Sequence, residues 1–141
     1  MSTLITRIDD LRALYGPARE RSVKKELPQL DAHAVRFIGL APLVVLASRG
    51  PGGDMDASPR GGDPGFVKVV DAGTLLIPDA PGNNRLDTLE NIIQTGSIGL
   101  LFLVPGVDET LRVNGRAVLS TDAGERERCA DARRVPALVI R

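Results

Sequence analysis

Soft-ligand and aromatic chemistry is nearly missing from this sequence. Tryptophan is absent, aromatics reach only 3%, and there is one cysteine, Cys129, and one histidine, His33. A single thiol forms neither an internal disulfide nor a cysteine-built zinc site. No GxxxxGK[ST], GxSxG or HExxH pattern occurs, so the signatures of P-loop, nucleophile-elbow and zincin chemistry are lacking. Charge of one sign is also lacking: Lys+Arg and Asp+Glu number 18 each, for a formal net charge of +0. A dedicated nucleic-acid binder carries a basic excess. None is present, so no nucleic-acid partner is expected and any anion site must be local. No run approaches the ~20 apolar residues of a membrane span. The longest, 38–47, is broken by Gly39 and Pro42. The N-terminus, MSTLITRIDDLR, has early acidic residues and no signal-peptide core, which predicts a cytoplasmic protein.

What is present suits one folded domain over 1–141. Apolar residues make up 43% and charged residues 26%, both ordinary globular values. Glycine (15) and proline (10) are frequent, and short strands joined by turns fit that better than a helical bundle. Residues 1–41 read as N-terminal helices. Leu4, Ile8, Leu11 and Leu14 or Tyr15 recur at spacings of three and four, predicting a helix over 4–15 with one apolar face. Gly16-Pro17 ends it, and a second helix is expected over 17–26. A third spans 31–40, with Asp31 as N-cap and Ala34, Phe37, Ile38 and Ala41 inward.

Residues 42–141 read as a small barrel or sandwich with an inserted helix over 85–95. Strands are expected at 43–48, 55–60, 66–70 and 74–78, the last two forming a hairpin across Asp71-Ala72-Gly73. Leu86, Leu89, Ile92 and Ile93 give the inserted helix its apolar face, closed by Gly96. Strands follow at 97–104 and, as one long strand, 109–120. In the latter Leu111, Val113, Ala117 and Leu119 share one face, and Arg112, Asn114 and Arg116 the other. A charged helix from Thr121-Asp122 to about Arg134 precedes a last strand over 135–141.

Three segments can carry chemistry. In PGNNRLD a glycine turn runs into a helix start, where unpaired backbone N–H groups and the dipole favour an anion such as phosphate. Asn83 and Asn84 add amide donors and Arg85 a two-pronged cation. The alternative is that an asparagine caps the helix and Arg85 is solvated. In DASPRGG, Ser58 and Arg60 share a side if the segment is extended, and beside glycines they suit a planar, polar-edged ligand. A surface turn is the alternative. On 109–120, Thr110, Arg112, Asn114 and Arg116 meet a ligand or form salt bridges. The carboxylate pairs Asp9-Asp10 and Asp108-Glu109 read as solvated.

Taken together, DASPRGGDPG, TLLIPD, PGNNRLDTLENI, GLLFLVPG and ETLRVNGRA resemble the pyridoxamine 5′-phosphate oxidase-related flavin-nucleotide-binding proteins. Within that family the bacterial branch of FMN-dependent enzymes without assigned substrates is the nearest. The resemblance runs from about residue 10 to the C-terminus. It implies a mainly β fold with flanking helices, an antiparallel split β-barrel. It further implies a homodimer with FMN in a groove between the subunits. Carried over by position, Asn83, Asn84 and Arg85 hold the FMN phosphate, and Ser58, Pro59, Arg60 and Gly61 run along the isoalloxazine. Ile77 and Pro78 contact the ring or ribityl chain, and Thr110 and Arg112 touch flavin from the partner chain. No metal is implied. The basic pattern and C-terminal segment that grip pyridoxal phosphate in true pyridoxamine phosphate oxidases are not found, so vitamin B6 oxidation is not expected. Nearer relatives continue past the equivalent of Arg141 with a further strand and a His-Cys-containing stretch, so the resemblance implies a short form or a chain truncated at its C-terminus. The implied activity is an FMN-dependent oxidoreductase with a small-molecule substrate or an electron donor such as NAD(P)H. The alternative is a non-catalytic module of the same fold holding flavin, deazaflavin or haem.

Overall fold

The computed structural model describes residues 3–20, 22, 26–81 and 86–141. It contains two four-stranded antiparallel sheets. The first has the order β2-β1-β5-β6, formed by β1 (Leu43–Arg49), β2 (Met55–Gly61), β5 (Ser97–Leu103) and β6 (Thr110–Arg116). The second has the order β3-β4-β8-β7, formed by β3 (Lys68–Asp71), β4 (Thr74–Pro78), β7 (Leu119–Ser120) and β8 (Val139–Ile140). No ladder closes β6 onto β3 among the described residues. The result is a split barrel with flanking helices.

Register explains why the first sheet buries one face. In an antiparallel pair, directly opposed residues point to the same side. Val44 lies between Arg60 and Phe102, Leu46 between Ser58 and Leu100, and Ser48 between Asp56 and Ile98. Leu111 and Val113 of β6 extend these rows beside Phe102 and Leu100. Val44, Leu46 and Phe102 are wholly buried, in one cluster with Ile77 and Ile140 of the second sheet. The inner face is thus aliphatic at its centre and polar at its β2 end, where Asp56, Ser58 and Arg60 alternate inward.

Helices fill the ends. α1 covers Ile8–Tyr15, α2 Ala32–Leu40, α3 Asp87–Thr95 and α4 Ala123–Arg128. α2 starts as expected: the Asp31 carboxylate accepts the Ala34 N–H at 2.8 Å, and Ala34, Phe37, Ile38 and Ala41 are buried. α3 buries Leu89 and Ile92 and is pinned to the first sheet by Thr88 donating to Asp56 and Asn91 donating to Ser48. Gly96 ends it in the left-handed region, φ 67°. Gly65, at φ 80°, comes so close to α2 that a Cβ there would lie 2.9 Å from the Gly39 carbonyl oxygen. That contact tucks the 62–66 turn beside β2.

Several expectations need correcting. The first helix begins at Ile8, not residue 4, and its apolar face is uncovered: Ile8 and Tyr15 are 77% and 80% exposed. The helix expected over 17–26 falls partly outside the described residues. The long strand over 109–120 is two pieces in different sheets, because the chain crosses from one sheet to the other at Ala117 and Val118. The charged helix stops at Arg128 instead of near Arg134. Asp131 captures the Arg133 and Arg134 amides and turns the chain. Only Val139–Ile140 of the last segment is strand. None of the described helices is long and apolar enough to cross a membrane.

Phe102→Ala removes the largest wholly buried side chain. It is expected to lower stability by about 3–5 kcal/mol, read as a fall in urea midpoint at unchanged m-value. A loss below about 1 kcal/mol contradicts the packing described.

A candidate cofactor groove beside Arg60

The polar end of the inner face opens into a groove of about 230 Å³. β2 contributes Pro59, Arg60 and Gly61, the 62–66 turn contributes Phe66, and β4 and its exit contribute Pro78 and Ala80. Lys68, Cys129, Asp131, Arg134 and Pro136 close the far side. The Arg60 side chain reaches across from the first sheet. Its Nη1 donates to the Asp79 carboxylate at 2.5 Å and its Nε to the Ser58 hydroxyl at 3.4 Å. Arg60 and Asp79 are only 15% and 18% exposed, so this pair is far less screened than a surface one. Ser58 and Arg60 do share a side, as an extended β2 requires.

The groove lining balances its charges. Arg60, Lys68 and Arg134 line it with Asp63 and Asp131, and Asp79, bonded to Arg60 from beside the lining, adds the third carboxylate. Lys68 also donates to the Gly65 carbonyl at 2.9 Å. Two backbone amides, of Arg133 and Arg134, hold the Asp131 carboxyl below the usual carboxylate range. The Cys129 thiol is pushed up, chiefly by burial, although nearby Lys68 and Arg128 pull the other way. It is therefore a neutral thiol at neutral pH. Among the described residues no three His, Cys, Asp or Glu side chains cluster as a metal site needs.

The structure brings together Pro59, Arg60, Gly61 and Pro78, with Ser58 bonded to Arg60. It does not bring Ile77 there. That side chain is 2% exposed, packs in the core and pairs with Ile140. Thr110 and Arg112 sit on β6, at the opposite edge of the first sheet from β2. Asn83, Asn84 and Arg85 lie outside the described residues. On either side of them, Ala80 lines the groove and Leu86 occupies the N-cap position of α3, with left-handed φ 60° and no side-chain cap bond. Lys68 and Arg134 were not foreseen as groove residues, nor Asp79 as the partner of Arg60. Asp79 ends the TLLIPD segment, but its pairing with Arg60, 19 residues away, is a tertiary fact.

Comparison with known proteins agrees with this architecture. Residues 30–138 match the family model for pyridoxamine 5′-phosphate oxidase, and the chain belongs to that family. No curated protein matches it. Among solved structures it is similar to HupZ of Group A Streptococcus, with TM-score 0.61 and 18% identity over 79% of this chain and 86% of that one. A histidine-to-alanine form of HupZ gives TM-score 0.63 and 18% identity, covering 78% and 90%. A candidate pyridoxamine 5′-phosphate oxidase of Lactobacillus delbrueckii gives TM-score 0.62 and 18% identity, covering 82% and 88%. At this identity the likeness is one of fold.

Because Cys129 is buried and its folded pKa is raised, it is expected to react slowly with a disulfide-exchange reagent at neutral pH and rapidly in urea. Its contribution to stability is complete below the unfolded thiol value of about 8.5 and is lost as pH rises through the folded value. Stability measured against pH should therefore fall more in that alkaline window for the parent than for Cys129→Ala. Equal labelling rates with and without urea contradict the burial.

Proposed function

We propose that the chain is an FMN-dependent oxidoreductase of unassigned substrate, working as a homodimer with the cofactor in the groove beside Arg60. The observation that carries this reading is the convergence of Pro59, Arg60, Gly61 and Pro78 on one groove. Ala80 also lines that groove, and six residues later in the sequence α3 starts at an N-cap, Leu86, whose side chain has no polar atom. The parts suit the parts of a flavin nucleotide. A charge-balanced, proline- and glycine-lined slot suits a neutral planar ring with polar edges. A helix start suits a phosphate, through its first-turn N–H groups and positive dipole end. The assignment of the phosphate to Asn83, Asn84 and Arg85 rests on the sequence resemblance.

Pairing of two copies is favoured by size and by position. A volume of about 230 Å³ is below the usual range for a small-molecule site, ~300–1,000 Å³, so a second wall is needed. Thr110 and Arg112, exposed at the far edge of the sheet, are available to supply it from a partner. Bound flavin would carry the electrons, while the protein binds, orients and tunes it. Arg60, held in place by Asp79 and Ser58, would offer its remaining donors to a polar ring edge. The protonated Cys129 is no base, so the groove contributes positioning and electrostatics.

Freshly purified protein is expected to be yellow, with the two visible absorption bands of FMN. Arg60→Ala and Arg85→Ala should each weaken FMN binding by about tenfold or more, the loss of a charge-assisted contact; Arg85→Ala should leave stability near the parent's, whereas Arg60→Ala should also lower the urea midpoint, because it strands the Asp79 carboxylate. Reduction of bound flavin by NAD(P)H supports the oxidoreductase. A bound but inert flavin supports the binding module. Failure of the apo-protein to take up FMN overturns the reading.

A further inference from the structure

The first sheet is apolar on both faces. An antiparallel sheet with one face in water alternates apolar-in with polar-out along each strand. β1 and β5 do not. Val44, Leu46, Leu100 and Phe102 point inward and are buried. Leu43, Val45, Leu101 and Leu103 alternate with them and so point outward. These four are half-buried and belong to neither apolar cluster of the interior. α3 is bonded to the sheet through the inner residues Asp56 and Ser48 and buries Leu89 and Ile92 in the interior cluster, so it lies on the inner side.

Register lays the outer residues in rows across the sheet. One row runs Pro59, Val45, Leu101, Arg112, and the next runs Gly61, Leu43, Leu103, Thr110. Each row therefore joins a β2 residue of the groove to a β6 residue at the far edge, with aliphatic side chains between. Within one chain those ends stand three strand spacings apart, about 14 Å at ~4.8 Å each. A third row, Ala57, Ala47, Gly99, Asn114, carries mostly small side chains.

We propose that the outer faces of two copies pack on each other about a two-fold axis parallel to the strands. The interface rests on the homodimer reading above and gives it a geometry. That axis reverses the strand order, so β2 of one copy lies across from β6 of the other, and Val45 meets the partner's Leu101 at the centre. Pro59 then faces the partner's Arg112, and Gly61 the partner's Thr110. Each groove gains its second wall from the other copy, and neither site is complete alone.

Charge selects this axis. The outer face carries Arg49, Arg112 and Arg116 and no carboxylate. A two-fold axis across the strands would set β6 on β6 and bring the arginines of both copies together, and like charges facing each other across an interface are costly. The parallel axis sets β6 against β2, whose outer residues Met55, Ala57, Pro59 and Gly61 are uncharged. Arg112, which has no polar partner among the described residues, is thereby turned to the groove mouth.

The test is thiol cross-linking of the full chain in a Cys129→Ala background, with Ala57→Cys and Asn114→Cys at the two ends of the third row. Sheets packed face to face stand ~10 Å apart, so a bis-maleimide of that reach should join copies carrying both cysteines into a covalent dimer. Either cysteine alone should give none, because like positions are also offset sideways by about 14 Å. In sedimentation the parent should be a dimer. Leu101→Glu should raise its dissociation constant about a hundredfold or more, since a two-fold interface loses the contact twice, at unchanged far-UV circular dichroism. No flavin is added, so this cross-linking pattern in a chain that takes up no FMN supports the interface and removes only the cofactor reading. A dimer that binds FMN yet survives Leu101→Glu keeps the cofactor reading and overturns the interface. A monomeric parent, or single-cysteine variants that cross-link as well as the double one, also overturns it.

Discussion

The ion pair between Arg60 and Asp79 ties the two sheets of this molecule beside the groove at β2. One partner sits on the edge strand of the first sheet and the other immediately after β4 of the second. Both are largely shielded from water, so removing either leaves the other charge desolvated and uncompensated. The pair keeps the Arg60 guanidinium over the groove instead of in solvent, and it fixes the exit of β4, from which the chain proceeds toward α3. Ser58 supplies a second hold on the same guanidinium. Orientation of Arg60 is therefore a property of both sheets.

That tie is needed because the barrel is split. A closed barrel would hold its walls together by continuous ladders. Here the link between sheets comes from the β6-to-β7 crossing, from the shared aliphatic cluster and from side-chain bonds such as Arg60–Asp79. The split also gives the fold two different openings. One is small, polar and charge-balanced, beside β2. The other is long and apolar-floored, beside β6, with arginines on its rim.

Much of the fold was legible in the residues. The Asp31 cap, the inward set of α2, the hairpin at 71–73, the Gly96 stop and the two faces of β6 all follow from local rules of spacing and capping. The failures share a cause. The first helix has a regular apolar stripe, yet periodicity states only that a face is apolar, not that the same chain covers it. The long strand over 109–120 broke at Ala117 because sheet membership depends on distant strands, here Ser97–Leu103 on one side and Val139–Ile140 on the other. The helix predicted to reach Arg134 ended early because Asp131 bonds backbone amides in a tight turn, a competition side chains of this type commonly win.

For the site, the sequence by itself determined which residue types were at hand: a Ser-Pro-Arg-Gly strand, an Ile-Pro-Asp strand exit, and an Asn-Asn-Arg turn before a helix. Local order fixes alternation along a strand, and so it placed Ser58 and Arg60 on one side. Only the tertiary structure decided that Asp79 would answer Arg60, that Lys68 and Arg134 would border the same groove, and that Ile77 would belong to the core. It also decided that Thr110 and Arg112 would stand at the far edge. Those outcomes depend on how two sheets pack across a shared aliphatic interior, and packing between segments far apart in the chain leaves no trace in local spacing.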